Sequence, residues 1–204
     1  MFKKIKLLTN ILTKEWDKIY KNYPIKEIPW NTKKPSKEII RLVKQDKIKS
    51  PVLDMCSGIG TNSIYLASKG YEVYGIDISK TAVDIANKTC NKKNLNCKYF
   101  VGNVLKKKFN KKFNFVYDRG CFHHLPKKER KKYIKKVYNL LTNKGKLYLE
   151  CFSNKNKFIF RTFSKKDITN YFSKFFKIIY FKNITHILKN KNKIYLYAIF
   201  MEKK

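Results

Sequence analysis

The segment VLDMCSGIGTNS, residues 52–63, sets Gly58 and Gly60 between a short apolar run and a stretch with helical spacing. Glycine at these places lets the backbone turn tightly and lets a ligand approach with no side chain in the way, while the helix behind offers free N–H groups. A GxG pair by itself is weak evidence, and the acids beside it sharpen the signal. Asp54 closes the apolar run, and Asp77, followed by Ile78, closes the next strand-like run, 19 residues after Gly58. An acid at that distance receives ribose hydroxyls in nucleotide-binding sheets.

Charge selects among nucleotides. A dinucleotide lays an anionic pyrophosphate over such a loop, usually with a third glycine, but position 63 is serine and Asp54 stands at the entrance. An acid there suits a cationic ligand. S-adenosylmethionine brings a ribose for Asp77, an ammonium and a sulfonium for the acidic loop, and no phosphate. Asn103, after the third strand, would accept a hydrogen bond from the adenine amine, with Val104 donating from its backbone. A glycine turn acting only as a connector and a nicotinamide dinucleotide are the competing readings.

A second cluster, YDRGCFHHL at 117–125, holds Asp118, Arg119, His123 and His124 around Cys121. A nucleophilic Cys/His site would need an orienting acid and an oxyanion hole, and the sequence offers neither. Asp118 and His123 are candidates to accept a proton from an oxygen or nitrogen nucleophile. Arg119 has a fork that fits an anion, with a surface ion pair as the alternative. Paired histidines in such a loop also cap the next helix and floor a pocket.

These groups need elements that bring them to one edge. Apolar residues recur at helical spacing over 10–22 and 35–47, and then the period alternates. Strand-like runs at 51–56, 71–77, 97–103, 113–118 and 146–152 are separated by helical stretches at 61–69, 79–88 and 126–141. Ser79 is a candidate cap, and SKKD at 164–167 has the form of a capping box opening a helix to Phe175. Two further strands, 176–184 and 193–200, flank a Lys/Asn turn and should pair antiparallel. The expected class is α/β: a Rossmann-like, doubly wound, mostly parallel seven-stranded sheet with a C-terminal antiparallel hairpin and ligands at the carboxyl ends of its strands. Residues 1–48 read as an N-terminal helical cover and 49–204 as the core of one compact domain.

At 204 residues with 43% hydrophobic content, the chain can bury a sizeable core, which excludes intrinsic disorder. Its net charge of +34 would ordinarily suggest nucleic acid or an anionic membrane. Lysine, however, supplies 44 of the 48 positive charges, and Lys, Asn, Ile, Phe and Tyr, all with A/T-rich codons, make up more than half the chain. Base composition therefore accounts for much of the bias, and neither a specific nucleic-acid partner nor a membrane partner is expected. Lysines of KKERKKYIKK at 127–136 lie opposite Ile134 and Val137, as on any solvated helix. Five scattered cysteines without a CxxC pair, and only three histidines, give no zinc framework. The expectation is a metal-free, soluble protein of the reducing intracellular compartment, the cytoplasm, a monomer or weak dimer, whose Cys56, Cys90, Cys97 and Cys151 are small buried hydrophobes.

From about Trp16 to Phe200 the sequence resembles the class I S-adenosylmethionine-dependent methyltransferases. Within them it is most similar to the branch around thiopurine S-methyltransferase, the halide/thiol methyltransferases and the tellurite-resistance methyltransferases. The family loop D-x-G-x-G-x-G stands here as Asp54 to Gly60, with Cys56 in place of the first glycine and Asn103 in place of the usual aspartate after strand three. Asp-Arg-Gly after strand four is found in the thiopurine-like branch, and the resemblance places Asp118 and Arg119 beside the transferable methyl. EWDKIYKNYPIKEIPW at 15–30 looks like that branch's cover, with Trp16, Tyr20 and Trp30 closing over cofactor and substrate. Tryptophans that merely pin a helix to the core are the alternative. The resemblance implies methyl transfer to a small-molecule acceptor, a thiol, thiopurine or similar. An RNA or protein methyltransferase and a non-catalytic binding module are the rivals.

Overall fold

The apolar run after Pro51 forms β1 (Val52–Met55), every residue of which is buried. Burial on both faces is what a parallel strand covered by helices requires. The computed structural model describes residues 15–32, 34–157, 159, 161–187 and 193–204. Around β1 stand α1 (Trp16–Asn22), α2 (Lys37–Lys44), α3 (Thr61–Ala67), β2 (Val73–Asp77), α4 (Lys80–Lys92), β3 (Cys97–Val101) and β4 (Phe113–Arg119). The chain continues through α5 (Lys127–Leu140), β5 (Leu141–Phe152), α6 (Lys165–Phe172), β6 (Phe176–Ile187) and β7 (Lys193–Lys203).

The seven strands are ordered β3-β2-β1-β4-β5-β7-β6, and β1 to β5 run parallel. β7 lies antiparallel between β5 and β6, completing the expected hairpin. The order reverses between β1 and β4, which opens a crevice outside their carboxyl ends. One core packs α5 and α6 against the sheet through Leu53, Val116, Tyr133, Val137, Leu149 and Phe172. The other packs α2 and α3 against the opposite face through Ile39, Leu42, Leu66, Phe115 and Tyr148. Two helix starts follow the sequence directly: Ser79 Oγ accepts the Ala82 N–H at 3.1 Å, and Ser164 and Asp167 form the reciprocal capping box.

Three expectations change. β5 begins at Leu141 rather than 146, because the chain leaves α5 already paired to Phe113 and then slips register, so that Phe115 faces Lys146. Of the helix expected over 10–22, the part at Trp16–Asn22 forms, residues 10–14 lying outside the described residues as does the turn at 188–192. The cysteines are not isolated hydrophobes: Cys56 pairs with Cys121 and Cys90 with Cys97 as disulfides, leaving Cys151 free and buried. Parallel pairing brings Cys56 and Cys121 together past the ends of neighbouring strands, a proximity invisible at a separation of 65 residues. Among the described residues no helix is long and apolar enough to cross a membrane. No three His, Cys, Asp or Glu side chains among them group to hold a metal.

Candidate functional site

Gly58 and Gly60 take φ of +54° and +76°, the left-handed region that glycine enters without a Cβ clash. The Gly58 N–H donates to Asp77 Oδ2 at 2.8 Å, and the Ser79 N–H donates to Oδ1 at 2.9 Å. Asp77 thereby ties the glycine loop to the start of α4, and each of its oxygens keeps a second lone pair for a ligand hydroxyl. Its burial raises its pKa. Asp54, buried at the end of β1, is pushed up to about 7 by burial, with Asp118 and Asp77 adding to this and the Ser63 hydroxyl opposing it. A cation arriving beside it would favour the ionised form.

A side chain at Gly60 would meet the Tyr99 hydroxyl at 2.7 Å, and Tyr99 is itself fixed by Ser63 Oγ at 2.9 Å. Gly60→Ala therefore combines a left-handed penalty of about 1–2 kcal/mol with overpacking of about 1–3 kcal/mol. Urea unfolding should show a loss of roughly 2–5 kcal/mol, and a midpoint indistinguishable from wild type would mean that Tyr99 yields without cost.

α1 covers the loop from above. Asp17 Oδ1 accepts from Ser79 Oγ and from the Thr81 N–H, each at 2.8 Å, which docks α1 onto the start of α4. The Thr81 N–H bond and the Lys21 and Ser79 side chains hold the Asp17 carboxyl well below its ordinary range. Tyr20 is buried against Gly58 and accepts from Trp30 Nε1 at 2.9 Å. Trp16 meets Trp30 edge-on at 5.4 Å between ring centroids and His124 at 4.9 Å. His124 meets His123 at 4.4 Å, and His123 stacks on Phe152 at 3.9 Å. One line of rings thus runs from Trp30 to the end of β5, joining the N-terminal segment to the loop after β4.

In that loop Asp118 is fully buried and occupied: its Oδ1 accepts the Cys121 N–H at 2.7 Å, and its Oδ2 accepts the Phe122 N–H at 3.1 Å and the Tyr133 hydroxyl. Burial pushes it up to about 7 against those donors. Arg119 donates Nε to Glu150 Oε2 at 3.0 Å and stays one-fifth exposed. Glu150 is buried, accepts from the Tyr148 hydroxyl at 2.8 Å and faces His186 Nε2 at 3.6 Å. Burial pushes Glu150 up, but His186 and Arg119 outweigh it and hold it below its ordinary range. Burial, aided by His124 and by Arg119, Arg161 and Arg130, drives His123 well below 6.5, so its imidazole is neutral. His124 falls to about 4 for the same reason, with Arg161 contributing.

The structure thus gathers Trp16, Trp30, Asp54, Cys56, Gly58, Gly60, Asp77, Ile78, Asp118, Arg119 and His123 around the carboxyl ends of β1, β2 and β4. Asn103 and Val104 stand past β3, where Asn103 Oδ1 accepts the Leu105 N–H at 2.8 Å. Sequence reasoning passed over Asp17, Tyr99 and Glu150. Only Glu150 carried a signal, as the one acid inside the apolar run KLYLECF. Ser57 Oγ and His123 Nδ1 are buried at this edge without a protein partner. Such atoms, beside glycines and an acid with free lone pairs, are what a polar nucleoside ligand would satisfy.

Residues 52–145 match the methyltransferase domain family. The chain is 33% identical over 126 residues to an uncharacterized methyltransferase of Schizosaccharomyces pombe, covering 60% of this chain and 85% of that protein. It is 28% identical over 111 residues to the 2-heptyl-1-hydroxyquinolin-4(1H)-one methyltransferase of Mycobacteroides abscessus, covering 53% of this chain but only about half (49%) of that enzyme's length. A 23S rRNA (uracil(747)-C(5))-methyltransferase of Pyrococcus abyssi is 31% identical over 129 residues, covering 63% of this chain and 28% of its own. Among solved structures, the 1,6-didemethyltoxoflavin-N1-methyltransferase of Burkholderia thailandensis shares the fold with a TM-score of 0.77 at 15% identity, over 99% of this chain and 89% of that one.

Proposed function

Since the chain belongs to the class I S-adenosylmethionine-dependent methyltransferases, we propose that it transfers the methyl group in line to a small-molecule nucleophile, a thiol, thiopurine or similar acceptor. The cofactor supplies an activated methyl on a sulfonium. Asp77 would receive its ribose hydroxyls, Gly58 and Gly60 would let it approach the loop backbone, Asp54 would face its cationic end, and Ile78, Asn103 and Val104 would border its base. What the protein adds is alignment and exclusion of water.

The observation that carries this reading is the line of rings from Trp30 through Trp16 and His124 to Phe152. It ties the N-terminal segment to the loop after β4, and a site covered in this way suits a compact acceptor better than a polymer. Arg119, steadied by Glu150, presents its remaining guanidinium donors to an anionic group, and Asp118 holds the loop in shape. His123, neutral and with Nδ1 free, accepts a proton from acceptors that must lose one. The described part of the N-terminal segment acts as cover on the core 49–204, and the protein works as a monomer or weak dimer in the cytoplasm.

The RNA reading is favoured by the archaeal rRNA relative and by the +34 charge. Supplying methyl-tritiated cofactor to thiols, thiopurines and hydroxyquinolones in one arm and to total RNA in the other separates the two. Label should appear in a small acceptor. RNA binding should be indifferent to sequence and fall by orders of magnitude between about 50 and 200 mM salt, since phosphate contacts alone drive it. Label entering one RNA at physiological salt, with none in the small acceptors, would replace this reading by the RNA one.

A further inference from the structure

We propose that Cys56 and Cys121 form a thiol–disulfide exchange site that gates the cofactor crevice, closed when the two sulfurs are bonded and open when low-molecular-weight thiols have reduced them. The inference rests on the cofactor reading above. Met55 at the end of β1 lies in register with Asp118 near the end of β4. Cys56 and Cys121 therefore stand on facing loops, directly across the point where the strand order reverses and the crevice opens. Their Cα atoms are 5.4 Å apart. A ligand atom placed between two chain segments needs a contact distance of roughly 3.5–4 Å on each side, so the bridged loops admit nothing between them.

The two residues also differ as an exchange site requires. Cys56 is exposed and Cys121 is 2% exposed, so an incoming thiolate reaches the first sulfur and not the second. Cys56 moreover holds φ at +55°, a conformation that costs a side chain energy and that glycine would adopt freely. The other pair differs in place: Cys90 and Cys97 join the end of α4 to the start of β3, seven residues apart and away from the crevice.

The chemistry balances. A small thiolate attacks the Cys56 sulfur, the sulfur–sulfur bond breaks, and Cys121 leaves as a thiolate that takes a proton. A second small thiol attacks the mixed disulfide on Cys56, releasing a small disulfide and the free Cys56 thiol. Two small thiols have then given two electrons and two protons to the protein, and closing is the reverse with a small disulfide as oxidant.

The test titrates S-adenosylhomocysteine into the full chain by calorimetry, after reduction and after treatment with oxidised glutathione, with peptide mapping of the bonds. Oxidation should yield the Cys56–Cys121 cross-linked peptide and weaken binding at least about tenfold, reversibly, whereas Cys121→Ser, separated from any Cys56–glutathione adduct that mapping reveals, should bind equally before and after oxidation. Cys121→Ala serves if the serine variant does not fold. Equal affinity of the wild type in both states, or no cross-linked peptide after oxidation, overturns the gate while leaving the cofactor reading in place. No binding by the reduced wild type overturns both.

Discussion

Asp77→Ala is expected to weaken S-adenosylhomocysteine binding by roughly tenfold to several hundredfold, the largest loss from any single change in the cofactor half of the site. The carboxylate closes β2 at 7% exposure, and both oxygens already hold backbone donors, Gly58 N–H at 2.8 Å and Ser79 N–H at 2.9 Å. On the proposed cofactor reading, removing it withdraws the acceptors for two ribose hydroxyls, a loss of about 1–3 kcal/mol in all. It also frees the glycine loop from α4, so the ligand must order what the protein no longer orders. Asp77→Asn should fare little better, because its amide nitrogen would face one of the two N–H donors. Calorimetry on variants that keep a wild-type near-ultraviolet spectrum tests this, and unchanged affinity in a folded Asp77→Ala protein would move the ribose elsewhere.

Asp77 was legible because an acid at the end of a second strand, behind a glycine turn, is a local pattern. The same holds for the alternating strands and helices, the Ser79 cap and the terminal hairpin, each set by residues a few positions apart. What the sequence did not disclose depends on contacts made across the fold. Asp17 reaches Ser79 and Thr81 only because α1 lies on α4. The small residues at 58, 60 and 75 answer to Tyr20 and Tyr99, whose rings fill the space a Cβ would need. Cys56 meets Cys121 because β1 and β4 are neighbours, a fact of strand order rather than of spacing. Glu150 lies between these cases: an acid in an apolar strand announces that it needs a partner, but only the β4–β5 register names Arg119.

That same register underlies the largest effect expected on turnover. Arg119→Lys should lower methyl transfer by about ten- to a hundredfold while leaving cofactor affinity and folding nearly intact. Lysine keeps the positive charge that Glu150 needs, so the buried carboxylate is not orphaned. It lacks the planar fork, and so it cannot donate to Glu150 Oε2 and present further donors to an anionic acceptor in one fixed plane. His123→Asn separates a different contribution. A thiol ionises readily and needs little help, so its transfer should change by no more than about threefold, whereas an oxygen acceptor that must shed a proton should lose about a hundredfold or more. The pH dependence carries the sign: burial and the neighbouring positive charges depress the His123 pKa well below 6.5, so its base form persists as pH falls through neutrality. Transfer to an oxygen acceptor should stay flat as pH drops from about 8 to 6.5 and decline only at lower pH. Turnover measured for both variants on one thiol and one oxygen acceptor, with cofactor binding followed separately, decides the matter. Equal losses on the two acceptors in His123→Asn would assign the imidazole to packing against Phe152 and His124, and undiminished turnover in Arg119→Lys would detach the acceptor from the end of β4.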